Sequence, residues 1–451
     1  MYSLLTSLKA LLDRRFLTIF ILGFSSGFPF VLHGSVLTLW MKSEGLSRSE
    51  IGFIGGVTAI YAINWLWSPV VDRFRIPFLY ARFGQRRSWI LAMQALLIIF
   101  TLLLSGASPQ GDLFTLGLFA LGIAFASATQ DIAVDAYRIM MFDSNEADQK
   151  LPYASAMATV GWWSGYGFIG GAVALLLGGQ TIGLSWPVVY KLLALVYVVL
   201  MGLITLSPEP KTTLVPIAIN QNKGPTLAFG DWFKIYICAP FVEFFDRCGN
   251  KLAVAILLFL FSFRIGEAML GRMSLVFYVE LGFSTEQIAL YSKFLGGLAT
   301  VVFSLLGAVI TTQYGVIRGM LVAGIAMAAS NLLYAVMAVV GPLPWLFMLT
   351  LLVDNFCGAF ATVAVVTFIS YFASRTYTGT QFSLMSSIST FGRTTLAAGS
   401  GAIVDAMDGN WPLFFIFTTV MVIPALILLI WLGKLLADFQ SEKSQVSAAL
   451  P

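Results

Sequence analysis

The stretch LFTLGLFALGIAFASATQDIAVDAYRIMM, residues 113–141, decides how this chain folds. It is almost wholly apolar and, as a helix, long enough to cross a bilayer core of roughly 30 Å. Two acids interrupt it, Asp131 and Asp135. Four residues of helix turn through about 400°, so both carboxylates lie on nearly the same face. A charge at the centre of a bilayer costs about 2.5–3.5 kcal/mol on insertion scales, and such residues usually face a cavity or a partner charge. The stretch therefore predicts a polar pathway inside a membrane protein.

Composition extends that reading to the whole chain. Hydrophobic residues make up 58% of the 451, charged ones 11%, and mean hydropathy is +0.87; a soluble domain carries about 25% charged residues. About twelve apolar spans of helical length follow one another: 16–40, 51–71, 89–105, 113–141, 153–177, 188–206, 252–279, 286–311, 316–340, 344–372, 380–404 and 412–435. The expected fold is all-α and integral to the membrane. Lys and Arg set the orientation. With the N-terminus inside, the cytoplasmic side collects about nineteen of them, including Arg14, Arg73, Arg86, Arg138, Lys211, Arg247 and Arg375, against Lys42 and Arg48 outside. Both termini are therefore expected in the cytoplasm, and the net charge of +4 reflects topology rather than nucleic-acid binding. The first span is too long for a signal-peptide core. Cys238, Cys248 and Cys357 suggest neither a disulfide framework nor a metal site. The sole histidine, His33, reads as a packed polar residue more readily than as a proton relay.

The longest hydrophilic stretch separates the first six spans from the last six. Residues 1–207 are read as an N-terminal six-helix half, 208–250 as a cytoplasmic linker, 251–437 as a C-terminal half and 438–451 as a cytoplasmic tail. Pro208-Glu209-Pro210 stops the sixth span, and the aromatic segment 229–247 reads as an interfacial helix. Six helices, a linker and six more is the major-facilitator plan, in which two halves rock around a midplane site. Asp72-Arg73, then Gly84-Gln85-Arg86-Arg87, resembles that superfamily's signature loop between helices 2 and 3, and Gly307 to Gly315 with Arg318 is a degraded second copy.

The remaining intramembrane charges cluster by helix. Arg264, Glu267 and Arg272 fall in the seventh span, Lys293 in the eighth, Asp354 in the tenth and Arg393 in the eleventh. The third, sixth, ninth and twelfth spans carry none in their interiors, as lipid-facing helices should. Asp135, three residues before Arg138, suits a gate bridge as well as a substrate contact. Arg264 and Glu267, at i and i+3, can neutralise each other or serve coupling. Lys293 and Arg393 have no acid within a turn, so a partner on another helix or a ligand is expected. Trp162-Trp163 could stack on a sugar face or pack in the core. Gly55-Gly56, Gly170-Gly171, Gly178-Gly179 and Gly296-Gly297 read as close helix-packing points. There is neither a nucleophile–histidine–acid set nor a phosphate-binding loop, so no enzyme, metal or cofactor is expected.

Several strings resemble the AmpG-type muropeptide permeases: Leu22 to Pro29, Leu66-Trp67-Ser68-Pro69 with Asp72-Arg73, Ser127 to Ala136, Gly266-Glu267-Ala268, Ser292 to Gly296, Asp354 to Gly358, Thr380-Gln381-Phe382 and Ser389 to Arg393. The resemblance implies a proton-driven inner-membrane importer of N-acetylglucosaminyl-1,6-anhydro-N-acetylmuramyl peptides for cell-wall recycling. It places Gln130, Lys293, Asn355, Gln381 and Arg393 at the substrate, with Trp163 beside them. It places Asp131, Asp135, Arg264, Glu267, Asp72 and Asp354 in proton coupling or gating. Where that family carries lysine and arginine, this chain has Asn64 and Trp163, which implies a less anionic substrate. Expected partners are a small anhydro-sugar peptide, protons and membrane lipid, with no nucleic acid, and the expected state is a monomer. A same-fold permease or exporter of an acetyl-CoA-like molecule, a siderophore or a small metabolite or drug is the alternative.

Overall fold

A computed structural model of the chain describes residues 13–168, 170–178, 182–210, 238–283, 287 and 296–449. Among them, ten helices are long and apolar enough to cross a membrane. They are α1 (Arg14–Ser43), α3 (Leu79–Ser105), α4 (Leu113–Met140), α5 (Asn145–Gly178), α6 (Trp186–Thr205), α7 (Asn250–Leu281), α8 (Gly296–Tyr314), α9 (Val316–Val340), α10 (Pro344–Phe372) and α12 (Trp411–Asp438). The second and eleventh spans take another form. Residues 48–73, α2, are a succession of short α- and 3-10 pieces that ends in Ser68–Arg73. Gly55 and Gly56 weaken its middle, and Pro69 removes a backbone donor at the start of the last piece. Residues 378–406, α11, break between Thr378–Ala397 and Ser400–Ala406, around Gly399.

The chain divides into two compact units, Met1–Pro240 with Ala373–Leu384, and Phe241–Phe372 with Met385–Pro451. The boundary thus falls inside α11. Most of the expected linker, 211–237, lies outside the described residues; the end of the expected interfacial helix is present as Ala239–Cys248, where Arg247 pairs with Glu243 at 2.9 Å.

In the first unit α1 and α5 lie backbone to backbone. Side chains on Gly23 and Gly27 would collide with the carbonyls of Ala158 and Trp162, and one on Gly161 with that of Phe20. Lipid gives apolar helices no hydrophobic reason to associate, so such close contact supplies the attraction through dispersion. Around it pack Phe28, Leu32, Trp40, Leu97, Tyr190 and Tyr197. Gly178 is a packing point as expected, against Trp186, and Gly170 meets the Phe28 ring of α1. Gly55 and Gly56 are not packing points: a side chain there would meet nothing within 4 Å, and both are exposed.

The second unit is centred on Phe277, Tyr278, Tyr334, Phe347, Phe414 and Phe415. Gly266 and Gly392 bring α7 against Thr418 and α11 against Phe261, where any side chain would strike a backbone carbonyl.

Candidate functional site

The polar groups of the first unit gather around α4. Asp131 is half-buried, its Oδ1 has no hydrogen-bond partner, and the hydroxyls of Ser26, Tyr61 and Tyr197 lie near it. One turn on, Asp135 accepts a 3.1 Å hydrogen bond from Arg138, which is almost fully buried and also donates to Ser155 at 3.1 Å. The Asp135 carboxylate is therefore held by a neighbour on its own helix, and Asp131 is not.

Beside Asp131 stands an aromatic wall. Phe30 stacks on Tyr61 at 4.8 Å and meets Trp162 edge-on at 5.3 Å, and Trp162 contacts Trp163 at 5.3 Å and Tyr166 at 5.1 Å. Trp163 thus belongs to this wall and is itself half-buried. Asn64 is also half-buried; its amide donates a long 3.5 Å bond to Ala128, and its Oδ1 has no partner. Such surfaces, apolar faces edged by amide and hydroxyl groups, suit a pyranose ring.

Gln130 and Gln381 sit differently. Gln130 is fully buried, donating to the Ser25 carbonyl at 3.0 Å while its oxygen accepts from the Ser25 hydroxyl at 3.3 Å; Gln94 donates to that hydroxyl at 2.8 Å. This knot ties α1, α3 and α4 together. Gln381 accepts from Ser374 N–H at 2.7 Å and donates to the Pro240 carbonyl at 2.9 Å. In this state either amide could meet a ligand only by giving up bonds to the protein.

Asp72, at the end of α2, is buried completely and fully engaged. Its Oδ1 accepts from Arg86 at 2.7 Å and from Gly379 N–H at 3.1 Å; its Oδ2 accepts from Thr380 N–H at 2.8 Å and the Thr380 hydroxyl at 2.7 Å. The carboxylate thus caps the start of α11, where an anion is favoured by orphan N–H groups and the helix dipole. Glu209 plays a similar part for α3, accepting from Arg86 and Arg87 N–H at 2.7 and 3.1 Å. Burial raises the Glu209 carboxyl above its ordinary value, and these two bonds act against that rise. Gly84, at φ 79° and ψ −170°, lets the backbone turn there, in a region open in practice only to glycine.

In the second unit, α7 is interrupted at Phe263-Arg264. Arg264 caps the following helix and grips Glu267 through two bonds of 2.6 and 2.7 Å, a fork-to-carboxylate geometry that is among the stronger ones available. Glu267, Arg272, Arg393 and Thr394 line an open cavity of ≈ 420 Å³. Among the described residues Arg393 has no hydrogen bond or ion pair, although its guanidinium feels Glu267 as an attracting charge and Arg264 as a repelling one. Asn355 accepts from Thr300 at 3.1 Å and donates to Leu351 at 2.7 Å. Asp354 accepts from Ser330 at 3.3 Å and from Tyr334 at 3.0 Å, and Tyr334 in turn meets Tyr278 at 3.0 Å. Lys293 lies outside the described residues. Sequence reasoning missed Tyr61, Tyr334 and Tyr278, because only tertiary packing turns those aromatics toward acids.

Comparison with known proteins accords with this arrangement. The family model described as Acetyl-coenzyme A transporter 1 matches residues 15–182. Transporter AmpG 4 of Rickettsia felis is 32% identical over 94% of this chain and 98% of its own length. The anhydromuropeptide permease of Escherichia coli K12 is 30% identical over 94% of this chain and 80% of its own. Among solved structures, a point variant of the E. coli fucose:proton symporter FucP superposes with a TM-score of 0.68 at 13% identity, covering 93% of this chain and 98% of that one. The human organic anion transporter MFSD10 gives 0.63 at 16%, covering 93% and 99%. The fold is that of the major facilitator superfamily, and the molecule is a multi-pass membrane transporter, not an enzyme. By identity along nearly its whole length, the chain belongs to the AmpG family.

Proposed function

We propose that the chain is a proton-coupled importer of GlcNAc-1,6-anhydroMurNAc peptides across the bacterial inner membrane, serving cell-wall recycling, with both termini cytoplasmic and the monomer as the working unit. The observation that carries this reading is Arg393, a cation without an ion pair among the described residues, on a cavity it shares with Glu267 of the Arg264–Glu267 pair. A substrate carboxylate would complete the charge balance there, in the bidentate geometry that arginine favours. The aromatic wall of Phe30, Tyr61, Trp162 and Trp163 offers faces for the sugar rings. Asn64 in the first unit and Asn355 in the second are candidate hydrogen-bonding groups. Asp131 and Glu267 are the candidate proton acceptors. Protonating either removes a buried charge that resists closure. Asp72 would hold α11 in one state and release it in the other.

The test is uptake of labelled GlcNAc-1,6-anhydroMurNAc tripeptide into proteoliposomes with and without an inward proton gradient. Gradient-dependent accumulation that Arg393→Gln lowers and that Asp131→Asn and Glu267→Gln separately abolish supports the proposal. Full gradient-driven uptake in both acid variants rejects the coupling, and absence of any uptake by the unaltered protein rejects the substrate. The match of residues 15–182 to the acetyl-coenzyme A transporter family favours a second reading, an acetyl-CoA-like cargo. Preference for acetyl-CoA over the glycopeptide in the same assay would establish it.

A further inference from the structure

His33 is the chain's only histidine, and it is 2% exposed. It sits in Val31–Val36, a stretch of α1 wound as a π-helix, a form found frequently at functional sites. The Tyr190 hydroxyl donates to the Leu32 carbonyl at 2.7 Å and so fastens this stretch to α6. The His33 Nε2 is 3.2 Å from the Tyr61 hydroxyl of α2, while Nδ1 is buried without a partner. Tyr61 is only half-buried, and its hydroxyl is near enough to Ser127 and Asp131 of α4 to interact with both, without a hydrogen bond to Asp131. The Asp131 Oδ1 and the Tyr197 hydroxyl, on α4 and α6, are likewise buried and unpartnered.

Buried polar atoms without partners are rare, a few per hundred residues, and each calls for a reason. Here three of them fall in one cluster, on groups that can each give or take a proton. A hydroxyl between a carboxyl and an imidazole is an amphoteric bridge, since it accepts on one side as it donates on the other. The groups near the imidazole or its bridge are Tyr61 from α2, Asp131 and Ser127 from α4, and Tyr197 from α6; Phe30 at 5.1 Å covers it on its own helix.

We propose that Asp131, Tyr61 and His33 form a relay that passes the coupled proton between a half-buried acid and a fully buried imidazole in the first unit. Once its free Oδ1 turns onto the Tyr61 oxygen, the Asp131 carboxyl gives its proton there as Tyr61 gives its own to His33 Nε2. The products are a carboxylate, an unchanged tyrosine and an imidazolium, so one proton has moved and no bond other than O–H and N–H has changed. The imidazolium then retains Nδ1–H, and the reverse transfer restores the start. The proposal rests on the proton-coupled reading above and assigns that coupling a path.

The test uses the full chain in proteoliposomes with labelled GlcNAc-1,6-anhydroMurNAc tripeptide and two modes of transport. Gradient-driven uptake requires net proton movement, whereas counterflow at equal pH exchanges substrate without it. Tyr61→Phe keeps the ring against Phe30 and removes the bridge. It should lower gradient-driven uptake about tenfold or more, and by a larger factor than it lowers counterflow, which reads only what the lost hydroxyl contributes to the sugar-binding wall. His33→Gln keeps a partner for Tyr61 but cannot become a cation, and it should lower gradient-driven uptake and flatten its pH profile. In the unaltered protein, ¹⁵N signals of His33 and the infrared carbonyl band of Asp131 should titrate as a coupled pair, a readout that needs no variant to fold. Independent titration of the two groups overturns the relay, as does a wild-type pH profile with full gradient-driven uptake in both variants. A protein that performs counterflow but never responds to a gradient overturns the coupling and the relay together, and is told apart by its failure before any substitution is made.

Discussion

Replacing Asp72 by asparagine keeps the size of a fully buried side chain and removes its charge. Four bonds converge on this carboxylate, from Arg86 at 2.7 Å, Gly379 N–H at 3.1 Å, and the Thr380 N–H and hydroxyl at 2.8 and 2.7 Å. All four are donors, and an amide can accept through only one of its two polar atoms. Whichever way the new amide turned, its NH₂ would confront either Arg86 and Gly379 or Thr380. Arg86 is 1% exposed and would keep its charge without its ion-pair partner. Breaking a buried pair by removing one member costs about 3–5 kcal/mol, and weakening the cap on α11 adds about 1 kcal/mol. Denaturation in mixed micelles should accordingly register a loss of about 4–6 kcal/mol for Asp72→Asn. Arg86→Met should be milder, because the remaining carboxylate keeps three donors. A loss below about 1 kcal/mol for Asp72→Asn, the size of an average substitution, would refute the claim that this carboxylate fastens the start of α11 within the first unit. A double-mutant cycle with Thr380→Val supplies the second check: the two substitutions share a bond, so their losses should fall short of additive.

Three further outcomes follow from the same geometry. Gly84→Ala should cost about 1–3 kcal/mol, because φ 79° with ψ −170° is closed to side chains and a Cβ would lie 2.5 Å from Glu209 Cγ; denaturation in micelles measures it. Glu209→Gln should alter the pH dependence of stability. Its carboxyl is raised in the folded state, so folding favours the protonated form, and this group's contribution declines as pH climbs from the ordinary glutamate range through the raised value; the wild type should therefore lose ground to the variant across that window. Arg264→Met should destabilise more than Arg264→Met with Glu267→Met, since the single change strands a carboxylate and the double change does not; thermal unfolding of the three proteins decides.

The spans, their order and the polar helices were legible because bilayer length and charge cost act on composition directly. The bridge from Asp135 to Arg138 could be read from its i, i+3 spacing, whereas the hydroxyls of other helices that lie near Asp131 could not. The pairing of Arg264 with Glu267 could be read from an i, i+3 spacing. The engagement of Gln130 with Ser25 could not, since nothing local in α4 announces which residue of α1 lies opposite. His33 was harder still. One histidine in an apolar helix is indistinguishable from packing until Tyr61, from a span too irregular for any periodicity, is brought to 3.2 Å.

That irregularity has a physical logic. Non-helical backbone is tolerated at membrane depth only where protein or a watery cavity satisfies the freed groups. The π-turn of α1 holds His33, the short pieces of α2 hold Tyr61 and Asn64, the π-turn of α5 follows Trp163 and holds Tyr166, and the break in α7 holds Arg264. Each interruption places its side chains on or beside the wall or cavity described above, whereas α6 and α9 run unbroken and carry none of the site residues expected from sequence. The break of α12 at Met421-Val422, before Pro424, and the turn at Gly84 within α3 are the exceptions, and a proline and a glycine explain them without a ligand. Gly23 and Gly27 anchor the first half of α1 against α5. Straightening the helix beyond them by deleting Val31, the first residue of the π-turn, would therefore rotate His33 by about 100° away from Tyr61 while leaving the rest of α1 helical. If the interruptions exist to aim these side chains, gradient-driven uptake should vanish in that variant although the protein still folds. Undiminished transport would make the π-turn a packing accident.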